Sequence, residues 1–166
     1  MMSPISAPAK VTLRKVIAAD LPIFFKFQLD PEANYVAAFA AKDPADRKAF
    51  DAHWAKILAD EDIVKKTIVV DGKVAGSILR FPLFGKPSVA YWLGRRYWGK
   101  GIATKALKKF LRGVKTRPLY ASAARDNVAS LRVLAKCGFK VTGQGTGFAN
   151  ARGKEIVEVF LELTAE

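Results

Sequence analysis

The stretch Val89–Val114, VAYWLGRRYWGKGIATKALKKFLRGV, constrains the fold more than any other part of the chain. Its apolar start, Val89–Leu93, predicts a short strand, and the glycine- and arginine-rich Gly94–Gly101 predicts a turn. From about Ile102 the period changes. Ala103, Leu107, Phe110, Leu111 and Val114 fall on one face of a helix, and Lys105, Lys108, Lys109 and Arg112 on the other. A strand that feeds a helix through glycines leaves backbone N–H groups free at the helix N-terminus, where the macrodipole attracts an anion. Arg95, Arg96 and Lys100 add full charges beside those amides. The chemistry of this turn suits a phosphate or a similar anion.

Three phosphate-binding patterns compete for it. Gly94-x-x-x-x-Gly99-Lys100 matches most of a P-loop, but Gly101 stands where a Ser or Thr hydroxyl would hold Mg²⁺, which argues against nucleotide hydrolysis. A dinucleotide-binding turn needs a further glycine or alanine three positions after Gly101, and Thr104 stands there. What does match is Arg96-x-x-Gly99-x-Gly101 followed by Ile102-Ala103-Thr104. This resembles the acyl-CoA pyrophosphate loop, Q/R-x-x-G-x-G/A, of the GNAT superfamily of N-acetyltransferases. Tyr91-Trp92-Leu93 before the loop and Trp98-Gly99-Lys100-Gly101 within it are most like the RimJ/RimL-like branch, which contains the ribosomal-protein alanine acetyltransferases. A second segment, Asn127-Val128-Ala129-Ser130 followed by Lys136-Cys137-Gly138-Phe139, is similar to the family's N-x-x-S…K-x-G-F. The resemblance runs from about Val11 to the C-terminus and is closest between Val89 and Gly143.

At 166 residues, 51% of them hydrophobic, the chain is long enough to bury one substantial core. We expect a loose N-terminal tail over residues 1–10 and a single domain over 11–166. MMSPISAPAK lacks the basic start and continuous apolar run of a signal peptide, and no apolar run reaches membrane-spanning length. Cys137 is alone, which excludes an internal disulfide framework and fits a cytoplasmic setting. His53 is the only histidine and no Cys/His cluster exists, so no metal site is expected. The formal charge of +13 fits a polyanionic cofactor, an acidic partner or nucleic acid. Because the charges are spread along the chain, nucleic acid is not expected as the main partner.

In chain order, Val11–Val16 predicts a first strand, and Asp20 an N-cap with Pro22 just inside a helix to about Leu29. Asp30-Pro31 breaks that helix; Asn34–Ala40 predicts a short helical piece, and Asp43-Pro44 opens a helix through about Ala59. Lys66–Val70 and Val74–Arg80 form a hairpin through Asp71-Gly72, with Phe81–Pro87 as a loop. Leu119–Ala123 is the next strand, joined to Val89–Leu93 by a right-handed parallel crossover. Asp126 or Asn127 then starts a helix with Val128, Leu131, Val133, Leu134 and Cys137 as apolar contacts, ended by Gly138. Phe139–Val141 and Glu155–Leu163 close the sheet around a flexible Gly143–Gly153 connection, whose Gly143-x-Gly145-x-Gly147 reads as loop.

The resemblance implies an α/β (α+β) GNAT fold: a mixed sheet of six to seven strands with about four helices, its parallel fourth and fifth strands splayed at one end. It implies acetyl-CoA as cofactor, coenzyme A as product, and direct acetyl transfer to an amine. Trp92 and Leu93 would offer backbone groups to the pantetheine, with a backbone N–H near Leu93 as oxyanion donor. Arg96, Trp98, Gly99, Lys100, Gly101, Ile102, Ala103 and Thr104 would hold the pyrophosphate, and Asn127 and Ser130 would face the pantetheine and thioester. The family's tyrosine general acid corresponds to Leu134 and its strand glutamate to Ser88, so Ser130 is the remaining proton donor to the thiolate. Asp30, Glu32 and Asp126 are distant candidates for a water-mediated base, and Cys137 reads as a packing residue. Placement alone puts Asn34, Tyr35, Phe81 and Phe84 at the acceptor site. The branch suggests a protein N-terminal α-amine as acceptor, with small-molecule amines as the alternative and oligomerisation open. A non-catalytic module that senses acyl-CoA or contacts nucleic acid is the competing reading.

Overall fold

The computed structural model describes residues 8–165, so residues 1–7 of the expected tail lie outside it. Seven strands form one sheet in the order β1-β2-β3-β4-β5-β7-β6. These are β1 (Val11–Lys15), β2 (Val64–Val70), β3 (Lys73–Leu83), β4 (Lys86–Leu93), β5 (Leu119–Ala124), β6 (Lys140–Ala149) and β7 (Lys154–Leu163). Five helices, one more than expected, are α1 (Leu21–Gln28), α2 (Pro31–Ala37), α3 (Arg47–Ala59), α4 (Ile102–Gly113) and α5 (Val128–Lys136). No helix among the described residues is long and apolar enough to cross a membrane. The expected tail is pinned where it enters the sheet: Ala9 packs on the core, and the Lys10 N–H donates to Asp71 Oδ1 at 2.9 Å.

The sheet carries two apolar layers because alternate strand residues face opposite sides. On one side Ile102, Ala106, Leu107, Phe110 and Leu111 of α4, with Leu134 of α5, pack on Val11, Ile78, Val89 and Leu119. On the other, Phe24, Phe50, Trp54 and Ile57 of α1 and α3 pack on Val16, Val74 and Leu79. A smaller contact of Ala38, Ala124 and Ala149 seats the end of α2 on β5.

Asp20 does not cap α1. Its carboxylate is buried, accepting from both Arg14 guanidinium nitrogens at 2.8 Å, from Ile17 N–H at 3.0 Å and from Thr67 Oγ1 at 2.7 Å. Asp30 and Asp46 cap instead, the first accepting from Glu32 N–H and the second from Ala49 N–H, so α2 starts at Pro31 and α3 only at Arg47. Val128 is 57% exposed and packs on nothing central.

Phe81–Pro87 is a hairpin, not a loop. Phe84 (φ 50°) and Gly85 (φ 76°) make its two-residue turn, just as Asp71 (φ 49°) and Gly72 (φ 81°) join β2 to β3. Proline normally leaves strands, which is why the sequence points to a loop here. Here Pro82 lies opposite Pro87. Hydrogen-bonded and open pairs alternate along an antiparallel ladder, and the Gly94 N–H to Ala75 O bond fixes the phase, so that pair is an open one. Neither proline removes a ladder bond. The glycine run is strand, not loop: β6 pairs with β7 from Lys140 to Ala149, leaving only residues 150–153 as the connection. Glycine lowers strand propensity but cannot forbid a strand whose partner supplies the hydrogen bonds.

Candidate active site

The parallel β4 and β5 pair at a single position, Ser88 with Tyr120, and diverge beyond it. The same alternation that places the prolines turns Trp92 toward β3, opposite Ser77. Tyr91 and Leu93 therefore present their backbone groups to the gap, and Trp92, expected to do so, does not. The Leu93 carbonyl accepts from the Trp98 indole N–H at 3.0 Å, which ties the turn to the strand end. The Leu93 N–H and both backbone groups of Tyr91 form the open edge.

The turn that follows is built on glycines for two reasons. A Cβ at Gly94 would lie 2.6 Å from the Phe27 ring of α1, so that glycine permits close packing. Gly99 (φ 70°) and Gly101 (φ 75°) are left-handed, a conformation that costs other residues free energy. No described residue lies within 4 Å of where a Cβ would stand at either, so their side toward the cleft is open. Gly101 begins α4 without a side-chain cap, and the first-turn amides of Ile102, Ala103 and Thr104 have no partner one turn back.

These elements line a cleft of about 390 Å³. Trp92, Leu93, Trp98, Gly99, Gly101, Ile102, Ala103, Thr104, Asn127 and Ser130 are all in its wall, as are Ala33, Val36 and Ala37 of α2. Arg96 and Lys100 are not. Both are exposed beside it, with the Arg96 guanidinium 5.2 Å from the Tyr97 ring centre. Arg95 is consumed by ion pairs with Asp30, at 3.0 Å, and with Glu32. Asn127 Oδ1 accepts the Ser130 N–H at 3.2 Å and so caps α5, which fixes the Ser130 hydroxyl over the gap.

That hydroxyl has a partner 39 positions away in the chain, which spacing in the sequence does not reveal. Tyr91 Oη lies 3.0 Å from Ser130 Oγ. Burial raises the Tyr91 pKa, Ser130 opposing and nearby Cys137 adding, so the phenol stays protonated at neutral pH. The one available signal was the alternation of β4, which sends Tyr91 to the face where Ser130 arrives. Trp92 points the other way, and its indole N–H is buried without an acceptor among the described residues.

Asp30, Glu32 and Asp126, the distant base candidates, are all paired: the first two with Arg95, the third with Arg152 at 2.8 and 3.0 Å. The Arg152 bond, partly opposed by burial, lowers the Asp126 pKa and makes it a weak base. Cys137 is half-buried against the core, and burial raises its thiol pKa despite Lys108, which agrees with a packing role. Ser88 donates to the Lys86 carbonyl at 3.2 Å, Leu134 is core, and His53 is exposed on α3. No group of three metal-ligating side chains exists among the described residues.

The expected acceptor residues are divided. Buried Asn34 joins α1 to α2 by donating to Gln28 O and Asp30 O, at 2.6 and 3.0 Å. Tyr35 lies under the Arg152 guanidinium, 4.0 Å from the ring centre, while Arg152 also donates to the Tyr35 carbonyl at 2.7 Å. Phe81 and Phe84 line a separate groove of about 540 Å³ on the bare part of the α1–α3 face.

A sheet split between its parallel strands, with an anion-seeking turn on one side and an open backbone edge beside it, has a shape suited to an extended, phosphate-bearing ligand. The chain belongs to the GNAT acetyltransferases: residues 10–140 match the family's sequence model, described as Acetyltransferase (GNAT) domain. It is 23% identical over 163 residues to an uncharacterized N-acetyltransferase p20 of Bacillus licheniformis, spanning 92% of this chain and 90% of that one. Its fold is similar to that of a ribosomal-protein-alanine N-acetyltransferase from Brucella melitensis, with a TM-score of 0.78 at 18% identity over 93% of this chain and 99% of that one. Mycobacterium smegmatis RimJ in complex with CoA-disulfide gives a TM-score of 0.77 at 20% identity, over 96% of this chain and 86% of that one.

Proposed function

We propose that the protein transfers an acetyl group from acetyl-CoA directly to a primary amine. The observation that carries this reading is the open edge of β4 leading into a left-handed glycine turn, with a partly buried pair of hydroxyls across the gap. The residues fit the donor: the first-turn amides of α4 suit a pyrophosphate, and the Tyr91 and Leu93 backbone suits the amide-bearing pantetheine arm. When bound, acetyl-CoA supplies an activated acyl group and a thiolate leaving group. The Leu93 N–H is the donor placed for the developing oxyanion, where one such group contributes on the order of 3 kcal/mol. Ser130 Oγ–H gives its proton to the departing sulfur and is reprotonated, through solvent, by the proton that the attacking amine loses as its nitrogen becomes the amide. Tyr91, kept protonated by burial, donates to Ser130 Oγ and leaves the serine hydrogen free to point into the gap. The acceptor is an amine of a small molecule or the N-terminal α-amine of a protein, the latter suggested by the branch the motifs resemble.

The test is calorimetric titration of acetyl-CoA and of ATP into the wild type and a Gly99→Trp/Gly101→Trp double variant, followed by thiol release with an amine panel. Acetyl-CoA binds the wild type and loses at least tenfold in the variant, ATP stays inert, and Ser130→Ala binds acetyl-CoA normally while losing about 100-fold in kcat. Folded wild type that ignores acetyl-CoA would sink the reading.

A further inference from the structure

The groove on the α1–α3 face is not the cleft that receives the acetyl donor. Its walls are the β3–β4 hairpin, with Phe81 and Phe84, and the outward residues Tyr120, Ser122, Glu158 and Phe160 of β5 and β7. It runs toward the point where β4 and β5 part, because Ala90, Ala121 and Ser122 line it while the next residues of β4, Tyr91 to Leu93, line the cleft.

Two carboxylates face this groove, neither of them in an ion pair among the described residues, and they differ in whether lysines stand at neighbouring positions. Glu162 lies across from Lys140 on the neighbouring strand, and Lys86 sits nearby with its ammonium 5.0 Å from the Tyr120 ring centre. Glu158 has Ala124 on one side and Gly145 on the other. It is half-buried, and makes no ion pair or side-chain hydrogen bond among the described residues. In a chain of net charge +13, a carboxylate that gives up part of its hydration without gaining a counter-ion is uncompensated. It stands on the same rung as Ala124, at the end of β5 where the sheet opens.

The glycine run belongs to this surface. Gly143, Gly145 and Gly147 pair with Phe160, Glu158 and Ile156, so all three turn the same way as Glu158. Directly opposite that carboxylate β6 thus presents only glycine, while Thr142 and Gln144 of the same strand also line the groove. A Cβ at Gly145 would come 3.2 Å from the Phe160 ring, whereas one at Gly143 would meet nothing within 4 Å. The protein also shows what the groove accommodates, since Lys86 lays its own primary ammonium on the aromatic wall.

We propose that this groove binds a cationic amine, its aromatic wall covering the apolar body and Glu158 holding the ammonium, and that this amine is the acetyl acceptor. The last clause rests on the acetyl-transfer reading; the ammonium site does not. The probes are 2-phenylethylamine and its neutral counterpart 2-phenylethanol, titrated by NMR into the wild type, Glu158→Gln, Glu162→Gln and Gly143→Leu, with acetyl-CoA titrated separately into each. The wild type prefers the amine at least tenfold. Glu158→Gln abolishes the preference, Glu162→Gln keeps it, Gly143→Leu weakens both probes, and acetyl-CoA affinity is the same throughout. An amine preference that survives Glu158→Gln, or amine binding indifferent to Gly143→Leu, would overturn the site. Amine binding in a protein that ignores acetyl-CoA would instead remove the acetyl-transfer reading and leave the ammonium site standing.

Discussion

Asp20 shows what a single residue decides. Its position before a helix suggested a cap, and the fold uses it as a buried junction of four hydrogen bonds joining β1, β2 and the entry to α1. Burial alone would raise its pKa, but the Arg14 pair, the Ile17 amide and the Thr67 hydroxyl outweigh it, and the net shift is downward. A lowered native pKa means that Asp20 stabilises the fold fully above the ordinary carboxylate range near 4 and stops doing so as pH falls through its native value. Asp20→Asn costs about 2–4 kcal/mol at pH 7, since it leaves Arg14 and two other donors with a poorer acceptor. Urea midpoints at pH 7 and pH 3 check this: the gap between wild type and variant narrows on acidification.

Among the elements, the β3–β4 pair sets the site. A Cβ at Gly76 would lie 1.9 Å from the Trp92 carbonyl oxygen, a backbone atom that cannot rotate away. Gly76→Ala therefore pushes the strands apart at the residues that shape the gap. Stability falls by about 1–3 kcal/mol, and acetyl-CoA affinity falls with it. A variant with wild-type melting and wild-type affinity would show that this register does not govern the cleft. Patterns local to one element were legible in advance: the amphipathic α4, the Asp71-Gly72 turn and the Asn127 cap of α5. The Phe81–Pro87 hairpin and β6 were not. Proline and glycine report backbone preference, whereas these strands exist because neighbouring strands accept their ladder bonds.

For the molecule as a whole, charge is the property with the longest reach. The lysines of α4 and the exposed Arg96 and Lys100 have no carboxylate within ion-pair distance among the described residues, while Arg95 is neutralised by Asp30 and Glu32. Acetyl-CoA affinity should thus depend on ionic strength, weakening by about three- to tenfold between 50 and 500 mM NaCl as screening shortens the reach of these charges. An affinity flat across that range would assign the donor's binding to backbone amides alone.

The two motifs, read from the chain alone, determined the family, the parallel crossover and the loop that suits an anion, because each depends on residues close together in sequence. Tertiary structure decided the rest. Strand alternation turned Tyr91, not Trp92, toward the gap and brought its hydroxyl to Ser130, a residue 39 positions away. Ion pairing engaged Asp30 and Glu32 with Arg95 and Asp126 with Arg152, and sheet order set Glu158 beside three glycines on a bare face. Sequence records what a residue can do; the distance to its partners, which fixes charge, hydration and direction, exists only once the sheet has formed.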